Sequence, residues 1–174
     1  MNLYAYAGNN PIAYDDPFGL VCCTGDKNLD DPTRKQIIEN TYNTAPATAD
    51  PQNKGLKNEQ GVWASQDPNG SILVSQFSGN PGQTFYPADN NNKIIQPANA
   101  LFSAHSHPNE GLNYYDPQNG KPLGRFSTTG PGVADKTIAK EQTVPMYVVG
   151  ANKIWRVDPN GTVTAFDKKL VDKP

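Results

Sequence analysis

Ala100-Leu101-Phe102-Ser103-Ala104-His105-Ser106-His107, stopped by Pro108, is the stretch on which the fold turns. A short apolar run closed by a residue that cannot donate to a sheet ladder reads as a buried strand. Alternate strand residues share a face, so His105 and His107 project together and Ser106 points the other way. Upstream, Val62–Ser65 and Ile72–Phe77 flank Asp67-Pro68-Asn69-Gly70, a strong turn signal that predicts a hairpin. Downstream, residues 109–130 form a long insertion with its own Asp116-Pro117…Gly120 turn. A helix is expected over Val133–Gln142 and a buried strand over Pro145–Val149. A second hairpin, Lys153–Val157 with Thr162–Phe166, closes on another Asp-Pro-Asn-Gly turn at 158–161. This order predicts an α+β fold, a mixed, hairpin-rich β-sheet flanked by a few helices.

On the N-terminal side, Asp31-Pro32 is a helix start, with the Asp capping free N–H groups and Pro at the first helical position. A short helix should run over Pro32–Tyr42 with Ile37, Ile38 and Tyr42 as its apolar contacts. Residues 21–30 read as a linker, and 43–57 and 78–92 as loops. The organisation expected is therefore residues 1–20 as a separate leading segment, 21–50 as linker and short helix, and 51–174 as the functional domain.

Composition narrows the classes. In 174 residues, 31 are Gly or Pro and 19 are Asn, which argues for a turn-rich chain rather than a helical bundle. Leu, Ile, Val and Phe together number 33, a low share, but they cluster into strand-like runs and the net charge is only -2, which favours a folded chain. No apolar run approaches the ~18 residues of a membrane span, and no basic-then-apolar signal peptide opens the chain. With 15 basic and 17 acidic residues, a general nucleic-acid binder is disfavoured, although a nuclease with a local basic groove is not. The only cysteines, Cys22 and Cys23, are adjacent and give no disulfide framework, four-cysteine zinc site or PCxxC deaminase motif.

The chain's two histidines are the residues most suited to chemistry. Two imidazoles on one face can begin a zinc site that needs one or two further N or O ligands; they can equally be two ordinary polar residues at a strand end. Glu59, just before the first hairpin, could be a base or a solvated surface residue. Ser127 could support chemistry or cap a turn. Trp63, Tyr147, Trp155 and Phe166 read as packing residues.

Two resemblances add to this reading. Tyr4-Ala5-Tyr6-Ala7-Gly8-Asn9-Asn10-Pro11-Ile12, followed by Asp16-Pro17-Phe18-Gly19-Leu20, closely resembles the end of the RHS-repeat core, the shell-forming region of bacterial polymorphic toxins. The resemblance implies that the residues after Leu20 are a toxin domain and that the parent chain is longer. It further implies aspartyl self-cleavage after the motif of Asp16 to Leu20. Expected partners are the RHS core shell and a cognate immunity protein. The implied location is that of a secreted effector delivered into the cytoplasm of a target cell. Residues 21–174 carry 15 basic and 15 acidic residues and are formally neutral.

The set Glu59…His105-Ser106-His107-Pro108…Ser127…Asp135 is similar to the JAMM motif of JAB/MPN-type metallopeptidases. The stretches from Asn58 to Gln76, Phe102 to Pro108 and Gly124 to Ser127 look like a JAB-related family found at the ends of RHS proteins. The resemblance implies a cytidine-deaminase-like architecture and a zinc cofactor held by His105, His107 and Asp135. It implies Glu59 as general base and Ser127 as the hydroxyl stabilising the oxyanion. Two departures stand out. Ser127 lies eight positions before Asp135, whereas the family has its Ser three positions before, where this chain has Gly132. Ser127 or Thr129 must then reach in around a bulged loop, or the role is vacant. Asp116, in the insertion, competes with Asp135 as third ligand.

Three functions follow: a zinc-dependent hydrolase of peptide or isopeptide bonds, a metal-dependent nuclease toxin, and a non-catalytic toxin module that binds its target. A nucleic-acid partner is disfavoured by the neutral charge and the lack of a third HNH element. If residues 1–20 are a core remnant, deleting them should leave the fold intact; circular dichroism and thermal melting of the shortened chain check this, and loss of folding would refute it.

Overall fold

Asp31 has an extended backbone, and its Oδ1 accepts from the amides of Thr33 (2.9 Å) and Arg34 (3.0 Å), so helix α1 begins at Pro32 and runs over Pro32–Asn43. The structure, a computed structural model, describes residues 24–84, 86–126 and 130–168. Strands follow as β1 (Gln60–Gln66), β2 (Ile72–Ser78) and β3 (Ala100–Ser106), then β4 (Asn113–Tyr115) and β5 (Pro122–Arg125). Helix α2 (Val133–Lys140) leads to β6 (Met146–Val149), β7 (Lys153–Val157) and β8 (Val163–Asp167).

Six strands form one sheet in the order β2-β1-β3-β6-β7-β8, and β4 pairs with β5 in a separate hairpin. All neighbours in the large sheet are antiparallel except β3 and β6, which run parallel. Parallel neighbours need a crossover, and the β4–β5 hairpin and α2 lie on it. The result is the α+β fold with a mixed, hairpin-rich sheet that the sequence predicts. Both Asp-Pro-Asn-Gly turns close the hairpins assigned to them. In each, the Gly amide returns to the Asp carbonyl (3.0 Å at Gly70, 2.8 Å at Gly161) and the Gly takes φ near +87° or +86°.

Strand alternation divides the core in two. Val62, Ala64, Phe102, Ala104, Tyr147, Val149 and Ile154 face α1, where Ile38 is fully buried and Ile37 and Tyr42 pack at the edge. Met146, Val148, Trp155 and Val157 face the opposite way, against Ala139 and Ile138 of α2 and Tyr86. β3 is central and both its faces are covered, with residues 102–106 all buried. Such a strand loses the apolar–polar alternation of a half-exposed one, hence its almost continuous apolar run.

Two regions depart from the sequence reading. The described part of the expected linker, residues 24–30, is anchored to the sheet: buried Asp26 accepts from the Tyr147 hydroxyl at 2.7 Å, from the amides of Asn28 and Leu29, and from Arg156 at 3.1 Å. Polar composition suggested a linker because burial of an acid depends on partners more than 100 positions away. The loop over 43–57 also carries structure, a 3-10 turn at Pro51–Asn53 whose Asn53 bonds the backbone of Tyr115 in β4. Residues 1–20, with Asp16 and Leu20, lie outside the described residues.

Asp26→Ala would strand the Tyr147 hydroxyl and two loop amides away from water. A stability loss of about 3 kcal/mol is expected, measured as a lower urea midpoint at unchanged slope; an unchanged midpoint would show that residues 24–30 are dispensable.

Candidate metal centre

Strand geometry delivers the two histidines. His105 sits in register opposite Gly61 of β1 and Val148 of β6. One residue past the end of β3, the His107 amide still donates to the Val149 carbonyl at 2.9 Å, which carries the ladder on and keeps its ring on the same face. The two Nε2 atoms are 3.3 Å apart, as the period of two requires. Ser106, pointing the other way, accepts from the Gln60 amide at 2.9 Å.

Asp135 arrives from the first turn of α2. Its Oδ1 is 3.1 Å from His105 Nε2 and its Oδ2 3.6 Å from His107 Nε2. The Gly132 amide, at the N-cap, donates to the same carboxylate at 2.6 Å and fixes its direction. Asp116 does not compete: its carboxylate is taken up within its own turn by the Gln118 amide and the Asn119 side chain, both at 2.8 Å.

Glu59 is brought in by two clamps across the strand ends. Asn109, two positions after His107, accepts from the Lys57 amide at 2.8 Å and returns a hydrogen bond to the Lys57 carbonyl. The Gln60–Ser106 bond holds the other side. Glu59 is thereby buried at 6% exposure, with Thr84 donating to its Oε2. Glu59, His105 and His107 each offer a ligand atom within 4.8 Å of the others and could hold a metal ion.

The donor set passes a geometric test. Ligand bonds of ~2.0–2.1 Å in a tetrahedron place donor atoms ~3.3–3.4 Å apart. The His105 and His107 Nε2 atoms, 3.3 Å apart, match that value, and Asp135 meets them with its two oxygens, Oδ1 at 3.1 Å from His105 and Oδ2 at 3.6 Å from His107. Two imidazoles and a carboxylate suit a borderline divalent ion.

Electrostatics agree. Burial by itself pushes the Asp135 carboxyl up, but hydrogen bonds from His105 and His107, and their charge, outweigh it and hold the group well below the carboxylate range. Burial would lower His107, yet the Asp135 hydrogen bond and the charges of Glu59, Asp135 and Glu110 hold it above the ordinary histidine value. Glu59 is pushed up by burial, against the pull of both histidines and Thr84, with Asp135 adding to the rise. Buried carboxylates and imidazoles that stabilise one another in this way form a site of concentrated negative charge.

A cavity of about 380 Å³ opens over these groups. Glu59, His107 and Asp135 lie in its wall, with Phe126, Val133 and Ile138 as apolar surface and Glu110 as a further acid. Thr84 and Tyr86, from the loop between β2 and β3, complete the wall. Neither is legible in the sequence, because that loop has no periodicity; the aromatic pair Phe85-Tyr86 in a Gly-, Pro- and Asn-rich stretch is the only signal that could have singled out Tyr86. Of the sequence-derived candidates, Glu59, His105, His107 and Asp135 converge here. Ser127 and Thr129 lie outside the described residues. No protein-family description, curated protein or solved structure matches this chain.

The metal-free protein should show the signature of these shifts. His107, raised on folding, contributes stability below its unfolded value near ~6.5, and that contribution is lost as pH rises through the folded value. Asp135, depressed on folding, contributes above its unfolded value near ~3.9 and loses that contribution as pH falls. The pair therefore stabilises most between about pH 4 and 6.5. Urea midpoints measured against pH should peak there in the presence of a chelator, and Asp135→Asn should flatten the peak; an equal peak in the variant would refute the coupling.

Proposed function

We propose that the chain is a zinc-dependent hydrolase of peptide or isopeptide bonds, similar in its site to JAB/MPN-type metallopeptidases. The observation that carries this reading is the convergence of two Nε2 atoms and one carboxylate within 3.1–3.6 Å, with buried Glu59 beside them at the wall of an open cavity. His105, His107 and Asp135 would hold the zinc ion, which supplies Lewis acidity and lowers the pKa of water to about 7.

The chain's own residues then divide the remaining tasks. In this reading Glu59, with a ligand-type oxygen within 4.8 Å of both imidazoles, stands beside the His105–His107–Asp135 trio as the base and is not a ligand. Its raised pKa brings its proton affinity nearer neutrality, as a general base requires. As the water oxygen bonds to the carbonyl carbon, Glu59 takes the water's proton. It returns that proton to the leaving nitrogen as the C–N bond breaks. Thr84 donates to Oε2 of Glu59 and orients the carboxylate. Phe126, Val133 and Ile138 offer apolar surface to a substrate chain. The oxyanion role stays assigned to the hydroxyl of Ser127, with Thr129 as its alternative.

Among the described residues, no Lys or Arg lines the cavity. Phosphoryl chemistry leans on such cations to neutralise the transferred group, so amide hydrolysis fits better than a nuclease. The resemblance of residues 2–20 to the end of an RHS core supports placing this hydrolase as a toxin domain, released from its shell, restrained by an immunity protein and delivered to a target cell.

Elemental analysis should find about one zinc per chain. His107→Ala should lose both metal and toxicity in a host without immunity. Glu59→Gln keeps the shape but accepts no proton, so toxicity should fall by about 10²-fold or more while zinc content and melting temperature stay near wild type. A fully toxic Glu59→Gln chain would remove the base and with it the peptidase reading, whereas a target-binding module would tolerate both changes.

A further inference from the structure

One acid in the cavity wall has no task in the hydrolysis itself. Glu110 stands three positions after His107 and shares the wall with Phe126. Its Oε2 accepts from the Ala151 amide at 3.0 Å. Its Oε1 is shut away from water and has no hydrogen-bond partner. A carboxylate offers about four acceptor positions, so most of the capacity of this one is unused. With a divalent ion at the centre, Glu59 and Asp135 balance its two charges, and Glu110 is the negative charge left over. No Lys or Arg among the described residues lines the cavity to take it up. Lys153 shares with Glu110 the wall of a smaller cavity of about 260 Å³, but it is exposed and gives Oε1 no hydrogen bond.

Both wall residues are held in place. The Glu110 carboxylate lies over Gly150, where a Cβ would come 2.4 Å from Oε1 and 2.7 Å from Oε2. The Trp155 ring closes on the same point, 2.7 Å from that Cβ position. Phe126 is tied to the turn that carries Glu110: its amide donates to the Leu112 carbonyl at 2.9 Å, and its carbonyl accepts from the Gly111 amide at 3.1 Å. Its ring packs on Tyr114 with centroids 4.9 Å apart.

An apolar ring and an unbalanced carboxylate in one wall suit a group that is apolar along its length and cationic at its end. Lysine and arginine side chains have that build. We propose that Phe126 and Glu110 form a side-chain subsite of the cavity that takes a lysine or arginine of the substrate chain, its stem against Phe126 and its cationic head at Glu110. An ammonium or guanidinium has only donors to offer. At Oε2 it uses the acceptor position that Ala151 leaves free, and its charge offsets the whole carboxylate. A glutamate in the same place would meet Glu110 as a like charge. Glu110 acts here on specificity: it touches the substrate away from the reacting atoms. The inference rests on the hydrolase reading and adds the substrate class to it.

The test uses the full chain carrying Glu59→Gln, which turns nothing over in this scheme, with zinc added. The probes are blocked pentapeptides with lysine, norleucine or glutamate at the centre, and calorimetry reads their affinities. Norleucine keeps the stem of lysine and lacks its charge. The lysine peptide should bind about 10- to 100-fold more tightly than the norleucine peptide, and the glutamate peptide most weakly. Adding Glu110→Gln should bring lysine and norleucine level, and adding Glu110→Lys should put glutamate ahead of lysine. Adding Phe126→Ala should weaken lysine and norleucine alike and keep their ratio. Equal affinity for lysine and norleucine in the parent chain, or a lysine preference that survives Glu110→Gln, overturns the inference. Thermal melting reads the folding of each variant, and the three-peptide comparison in the parent chain needs no Glu110 variant. Cleavage of the same peptides by the zinc-loaded wild type is measured separately. A lysine preference in binding without cleavage overturns the hydrolase and leaves the subsite, whereas cleavage without any preference overturns the subsite alone.

Discussion

His105 can face a ligand from inside the protein only because β3 is paired on both edges and covered on both faces. β1 and β6 satisfy its backbone, α1 covers one face through Phe102 and Ala104, and the opposite face is left to Ser103 and His105. A one-residue slip in this register would turn both imidazoles into the α1 core and bring Ala104 and Ser106 to the cavity. The polar side chains on that face therefore depend on the apolar ones on the other. Burial of Phe102 and Ala104, each 0% exposed, fixes the register that makes a two-histidine site possible.

The same burial makes the polar groups expensive unless each is matched. Asp135 meets both imidazoles and the Gly132 amide; His105 meets Asp135 and Tyr86; Glu59 meets Thr84. Glu59 and Asp135 each raise the proton affinity of the surroundings, and Glu110 adds to the effect at His107. A divalent cation beside His105 and His107 would neutralise that excess in one step, which no side chain among the residues lining the cavity can do. Charge balance and ligand geometry thus point to the same position.

Much of this was legible in the sequence, and the parts that were not share a cause. Period-two runs and Asp-Pro-Asn-Gly turns are local signals, and β1–β3 and β6–β8 follow them to within two residues at each end. The Asp31-Pro32 helix start is local too. His105 and His107 are two apart, so the strand alone predicts that they meet. Glu59, 46 positions before His105, reaches the pair through hydrogen bonds of Asn109 and Ser106 that no spacing encodes. Asp26 is the same case on the other face, an acid in a polar stretch whose partners, Tyr147 and Arg156, are supplied by β6 and β7.

Tyr86 shows why the loop between β2 and β3 could not be periodic. To place a phenol under His105 the chain must leave the sheet, pass Thr84 within reach of Glu59, and insert an aromatic ring between Phe77 and Trp63. Gly79 begins the departure, with the Gln83 carbonyl so close that a Cβ would lie 1.7 Å from it. Gly82 receives Phe126 from the segment that follows β5, where a Cβ would lie 2.3 Å from the ring. Each contact admits only a bare backbone. The glycines that make the segment read as featureless loop are thus the residues that let it close against the site, one end carrying the hydroxyl that bonds Glu59 and the other the phenol that meets His105 Nδ1.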